Sequence, residues 1–187
     1  MPQQFTRMEF HRLPIPLDRD LFVRNLLREF TQSLANKLGA ESASRFVSEI
    51  GAATGGQFNA YYRAALKTAA LTRKQVAEAM VDVKRRIEGD FYIVEQSDEK
   101  IVLRNRACPF GNKVLDRPEL CMMTSSVFGA MASKNLGYAK VELKETIARR
   151  NPECHVVVYL KRTEESVAAP GREFSGTAAP SAAAGEP

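Results

Sequence analysis

Residues 138–160 read YAKVELKETIARRNPECHVVVYL. Apolar residues alternate through Ala139, Val141 and Leu143, resume at Val156, Val158 and Leu160, and are separated by the turn-forming run Arg149-Arg150-Asn151-Pro152. This pattern predicts an antiparallel hairpin with strands over 138–147 and 154–160. If Ala148 faces Glu153 across the turn, Ile147 opposes Cys154 and Glu145 opposes Val156, so that these side chains share one face. Glu145 is then the one charge in an apolar layer. A carboxylate so placed is costly unless it is paired or bound to metal, and Cys154 lies a diagonal step of about 7 Å away. Glu142 falls on the other face with Tyr138, Lys140 and Lys144, where water and lysines satisfy it.

Working outward, the period changes twice. After Gly89, Phe91-Tyr92-Ile93-Val94 and Ile101-Val102-Leu103 flank Ser97-Asp98-Glu99 and predict a second hairpin. Upstream the period is helical: Asp18 caps a helix with Phe22, Leu26, Phe30, Leu34 and Leu38 on one stripe, and Gly39 ends it. A second helical stretch over 41–66 is interrupted by Gly51 and Gly55-Gly56, meaning either a break or a close helix contact. Thr72 with Gln75 forms a capping box for a third helix carrying Val76, Met80, Val83 and Ile87. Pro118 suits the first turn of a fourth, with Leu120, Met123, Val127 and Met131 facing inward until Asn135 and Gly137. Helices followed by strands around one further helix predict an α+β domain: N-terminal helices packed with an antiparallel sheet and one more helix. Pro14 and Pro16 make 1–17 an extended arm, 18–162 forms one domain, and the Ala, Pro, Gly and Ser of 163–187 predict a disordered tail.

Composition limits the function classes. At 187 residues and 44 % hydrophobic the chain can bury one core, and its longest apolar runs fall far short of the ~20 residues that cross a bilayer. With no membrane span and no export signal, the protein reads as cytoplasmic. The formal charge of +5 is modest, and the runs Lys84-Arg85-Arg86, Arg149-Arg150 and Lys161-Arg162 suit either nucleic acid or a solvated face. Three cysteines without an export signal argue against a disulfide framework.

Cys108 follows a strand, Cys121 stands in the first turn of a helix and Cys154 opens the last strand, all at element ends that a sheet-and-helix layer brings to one edge. Their spacing matches no compact zinc finger. A helix N-terminus lowers a thiol pKa, so Cys121 is a candidate thiolate. Three thiols with the inward Glu145 then suit a tetrahedral soft-metal site, for zinc or an iron–sulfur cluster. The plainer alternative is three thiols buried as small apolar groups and a glutamate escaping at the strand end. Enzyme chemistry is not expected. The histidines are His11, in the arm, and His155, pointing away from Cys154, so Cys121 lacks a base to make it a nucleophile.

The runs VDVKRRI (81–87), GDF (89–91), RACPFG (106–111), RPELCMMTS (117–125), Phe128-Gly129, NLGYA (135–139) and CHVVV (154–158) resemble the methanogen output domain of the first type. That resemblance spans about 18–160 and implies a signal-transduction domain, stand-alone or modular, working beside a sensor kinase or a transcription regulator. More distantly, the chain is similar to vinyl-reductase-type ligand-binding domains of aromatic-sensing bacterial regulators. Those dimerise and hold a small molecule beside a zinc bound by three cysteines and a glutamate. On that likeness Cys121 and Cys154 match the outer cysteines and Glu142 falls nearest the glutamate. Glu145 or Thr146 stands where the middle cysteine belongs, and Cys108 is additional. The Cys108-to-Cys121 spacing also resembles iron–sulfur repressors, which use four cysteines. The expected function is a homodimeric sensory domain that binds a small ligand or a metal among Cys108, Cys121, Cys154, Glu145 and Glu142. The alternatives are a nucleic-acid-binding regulator using Arg149, Arg150 and the basic arm, or a redox sensor.

Overall fold

The structure, a computed structural model, describes residues 14–176. Helices α1 (Arg19–Leu38), α2 (Ala40–Ala65) and α3 (Arg73–Arg85) come first, then strands β1 (Phe91–Gln96) and β2 (Lys100–Asn105). A 3-10 turn at Gly111–Val114 leads into α4 (Pro118–Leu136), followed by β3 (Tyr138–Glu145), β4 (Cys154–Tyr159), a short α5 (Glu164–Ala168) and β5 (Arg172–Ser175). The strands form one antiparallel sheet in the order β1-β2-β4-β3-β5. The α+β class read from the alternating periods is the architecture observed.

Local chemistry sets the helix ends as expected. The Asp18 side chain accepts from the Leu21 amide at 2.8 Å, and Thr72 with Gln75 forms the reciprocal capping box at the start of α3. The glycines of α2 do not break it. A Cβ at Gly55 would lie 2.7 Å from the Val127 carbonyl oxygen, and one at Gly51 would lie 2.9 Å from Ser126 Cβ, so α2 lies backbone-close against α4. One face of the sheet packs on α3 and α4 through Phe91, Ile101, Leu103, Val141, Val156 and Val158, with Met80, Val127, Phe128 and Met131 opposite. A smaller cluster on the other face joins Val102, Val157, Tyr159 and Ala169.

Two expectations are corrected. The β3–β4 register places Leu143 opposite Val156, and a bulge then sets Glu145 opposite His155 rather than Val156. Ile147 has left the strand for a 3-10 turn, Ile147–Arg149, which absorbs residues that a simple hairpin count assigns to pairing. The expected disordered tail is ordered through 176. Thr163 and Ser166 cap α5 reciprocally, and β5 pairs with β3 so that Phe174 lies opposite Ala139. Phe174 seats on Gly129, where a Cβ would fall 2.2 Å from its ring, so the absent side chain of Gly129 makes the space. Residues 177–187, and 1–13 of the expected arm, lie outside the described residues, while 14–17 carry no helix or strand. The stripe on α1 stays open: Phe22, Leu26 and Phe30 are 56, 53 and 55 % exposed.

Candidate functional site

The three cysteines meet at one cavity. Cys154 opens β4 opposite Asn105 of β2, Cys121 sits in the first turn of α4, and Cys108 lies in the loop between β2 and the 3-10 turn. All three line a cleft between the sheet edge, α4 and that loop, with Phe91, Asn105, Thr124, Leu143, Thr146 and Val156. The cleft measures about 410 Å³, open space at its mouth included. Element ends bring the sulfurs together, since a strand start, a helix start and a post-strand loop all fall on the same side of the layer.

The carboxylates do not join them. Past the bulge Glu145 turns to the opposite face of the sheet, 44 % exposed, with its Oε2 3.9 Å from Arg104. Glu142 also lies on that opposite face, as its parity requires. There it is buried, accepting from the Tyr159 hydroxyl at 2.9 Å, with Lys144 3.9 Å away. Among the described residues no three His, Cys, Asp or Glu side chains are placed to hold one metal ion. The three sulfurs therefore line one cleft without forming a ligand set, and both carboxylates stand outside it. Zinc at about one equivalent in elemental analysis of the purified protein, lost in Cys121→Ser, is the result that would restore the metal reading.

Burial, not the helix dipole, sets the thiol chemistry. The Cys121 thiol is pushed up to about 12 by burial and then by the neighbouring Cys154 and Cys108, against a weaker pull from Thr146. Cys108 is also raised, again by burial first. The thiolate expected at the N-terminus of α4 is thus replaced by a neutral thiol. Cys154 Sγ accepts from the Ile147 amide at 3.5 Å and from Asn105 Nδ2 at 3.7 Å.

A fourth group was missed. Lys84, placed by its neighbours in a basic run, is 4 % exposed, while Arg85 and Arg86 project outward and pair with Asp82. Its Nζ donates to Thr124 Oγ1 at 2.8 Å and lies 5.5 Å from the ring centre of Phe128 and 5.8 Å from that of Phe91. Burial lowers its pKa from 10.5 to about 8, partly offset by the three nearby thiols. The signal was in the sequence, since Val76, Met80 and position 84 recur every four residues on the inward stripe. Asn105 was missed as well. Its Oδ1 accepts from the Asp90 and Ala107 amides at 3.1 and 3.3 Å, which fixes its Nδ2 toward the sulfur of Cys154.

The basic runs are largely engaged within the chain: Arg150 reaches Asp116 at 2.8 Å and Arg162 reaches Glu173 at 2.7 Å.

Compared with known proteins, the chain matches the model of methanogen output domain 1 over residues 22–159. The chain belongs to the methanogen output domain 1 family. Within that family match fall α1 from Phe22 onward, α2 to α4, β1 to β4 and all three cysteines; α5 and β5 lie beyond it. No protein of curated function matches the chain. Among solved structures it is similar in fold to the phenol-responsive sensory domain of the transcription activator PoxR, solved with phenol. That match has a TM-score of 0.60 at 13 % identity and covers 82 % of this chain and 81 % of that one. It is also similar in fold to trafficking protein particle complex subunit 3 from Naegleria fowleri, covalently bound to palmitic acid. Here the TM-score is 0.52 at 14 % identity, covering 75 % of this chain and 96 % of the other. Among the described residues no helix is long and apolar enough to cross a membrane.

Proposed function

We propose that this output domain is a sensor in which a small molecule with an apolar body occupies the cysteine-lined cleft and changes how α4 presses on α2. The observation that carries this reading is the shared use of α4. Cys121 and Thr124 line the cleft, while Met123, Ser126, Val127 and Ala130, on the same two or three turns, meet Gly51 and Gly55 of α2. A contact made backbone to backbone has no side chain to re-pack, so a displacement of α4 is transmitted to α2 rather than absorbed. The fold is also one in which phenol and palmitic acid are found in the two solved structures. No metal is required by this reading.

From α2 the signal reaches the exposed stripe of α1, with Phe46 and Ile50 of α2 exposed nearby in the sequence at 46 and 50 %. We place a second copy of the chain on that face, and a sensor kinase or transcription regulator downstream of it. The test is a panel of monocyclic aromatic compounds, read by iodoacetamide labelling of the three cysteines and hydrogen exchange across α2. Binding slows labelling of Cys108 and Cys121 and alters exchange near Gly51 and Gly55. Thiols that label at the free rate under saturating compound would refute the cleft as the ligand site.

A further inference from the structure

The cleft is built to donate hydrogen bonds, and this narrows what it takes. No carboxylate lines it, and its lining oxygens are already accepting: Thr146 Oγ1 from the Arg149 amide at 3.3 Å and Thr124 Oγ1 from Lys84 at 2.8 Å. The free polar hydrogens are of the opposite kind. Thr124, having accepted from an ammonium, gives its own hydroxyl hydrogen to no acceptor among the described residues. Asn105, 1 % exposed, spends one Nδ2 hydrogen on the sulfur of Cys154 at 3.7 Å and leaves the other unpartnered there. Behind them stands Lys84, a buried cation with no carboxylate among the groups acting on it. An unpaired charge in an apolar layer is costly, and two phenyl rings at 5.5 and 5.8 Å relieve only part of that cost.

We propose that the end of the cleft lined by Thr124 and Asn105 holds the carboxylate of a small organic acid. Thr124 and Asn105 donate to it, and Lys84 acts through the Thr124 hydroxyl as the positioning cation. The inference rests on the cleft being the ligand site and adds the charge of the ligand. Lys84 does not itself line the cleft, so its effect passes along one chain, Nζ–H to Thr124 Oγ1 and Thr124 O–H to the acid. A hydroxyl that accepts from an ammonium is a stronger donor for that reason. The apolar body of the acid lies toward the mouth among Phe91, Leu143 and Val156.

The test compares benzoate with benzamide, which matches it in shape without the charge, by calorimetric titration at pH 7. Wild-type protein, Lys84→Met and Thr124→Val are measured side by side, with melting curves to show that each variant is folded. Wild-type protein is expected to bind benzoate at least tenfold more tightly than benzamide, and both variants to bring that ratio close to one while still binding benzamide. A merely structural role for Lys84 would weaken both ligands together and leave the ratio unchanged, which overturns the inference. Equal affinity of wild-type protein for the two compounds overturns it as well, while the cleft remains the ligand site. If neither compound binds or protects the thiols from alkylation, the cleft reading falls and takes this inference with it.

Discussion

Replacing Lys84 by methionine is expected to make the protein more stable at neutral pH, an unusual direction for a fully buried position. The lysine pKa falls from 10.5 to about 8 on folding because burial disfavours the ammonium. At ~1.4 kcal/mol per pH unit, that gap makes the protonated lysine about 3 kcal/mol less favourable in the folded chain than in the unfolded one. The sign follows from proton counting. Below about 8 both states carry the proton and the full penalty is present. Between there and 10.5 the unfolded chain holds the proton and the folded chain does not, so stability rises with pH; above 10.5 the penalty is gone. Methionine keeps an unbranched apolar side chain and carries no charge, but it gives up the hydrogen bond to Thr124 and the ring contacts, together worth about 1 kcal/mol. The net gain is then about 2 kcal/mol at pH 7, and it narrows to near zero by about pH 9.5. Urea denaturation of wild-type protein and Lys84→Met at both pH values reads this directly. A variant less stable than wild type at pH 7, or a difference that does not change with pH, would refute the reasoning. The first outcome would mean that Thr124 and the two rings already satisfy the charge.

Gly129→Val places a side chain where the Phe174 ring lies, with the first carbon 2.2 Å from it. The expected result is loss of β5, seen as fast hydrogen exchange over 172–175 with β2 and β4 still protected, and unchanged exchange there would show that the ring moves aside at little cost. Phe22→Ser with Phe30→Ser removes two exposed rings from α1, so sedimentation should shift from dimer to monomer without a fall in melting temperature. Because burial holds the Cys121 thiol up at about 12, its alkylation near neutral pH should run at least tenfold slower than in the urea-unfolded chain. Equal rates would mean that the thiol is not shielded.

The fold was legible where periodicity is local. Capping at Asp18 and Thr72, the stripe of α4 and the alternation of β4 each depend on residues a few positions apart, and each appears as read. What escaped depends on pairs far apart in sequence. A composition of Ala, Pro, Gly and Ser marks 163–187 as unable to order itself, yet Phe174 finds a site at Gly129 that composition does not reveal. The register failed for a similar reason. Strand parity predicts faces correctly up to Leu143, and one bulge then turns Glu145 from the thiol side to Arg104. The three cysteines line one cleft because their placement rests on element ends rather than register. Lys84 was overlooked because Arg85 and Arg86 beside it gave its position the look of a solvated charge run, although its helical spacing from Val76 and Met80 points inward.

The same burial that keeps the thiols neutral decides which acid the cleft can hold as an anion. Cys121 climbs from 9.0 to about 12 on burial, so a thiol there stays protonated at neutral pH even with an ammonium nearby. A phenol begins near ~10 and, raised by a similar amount, also stays protonated. A carboxylic acid begins near ~4, so it arrives as an anion, and it stays one where the Thr124 and Asn105 donors outweigh the cost of its burial. Phenols should therefore enter the cleft as neutral molecules whose affinity is indifferent to Lys84→Met, whereas benzoate should lose affinity in that variant and, in wild-type protein, as the pH falls through the free acid's own pKa near ~4. A phenol that depends on Lys84 as strongly as benzoate does would show that the ammonium recognises a neutral hydroxyl, and the charge argument would fail at its first step.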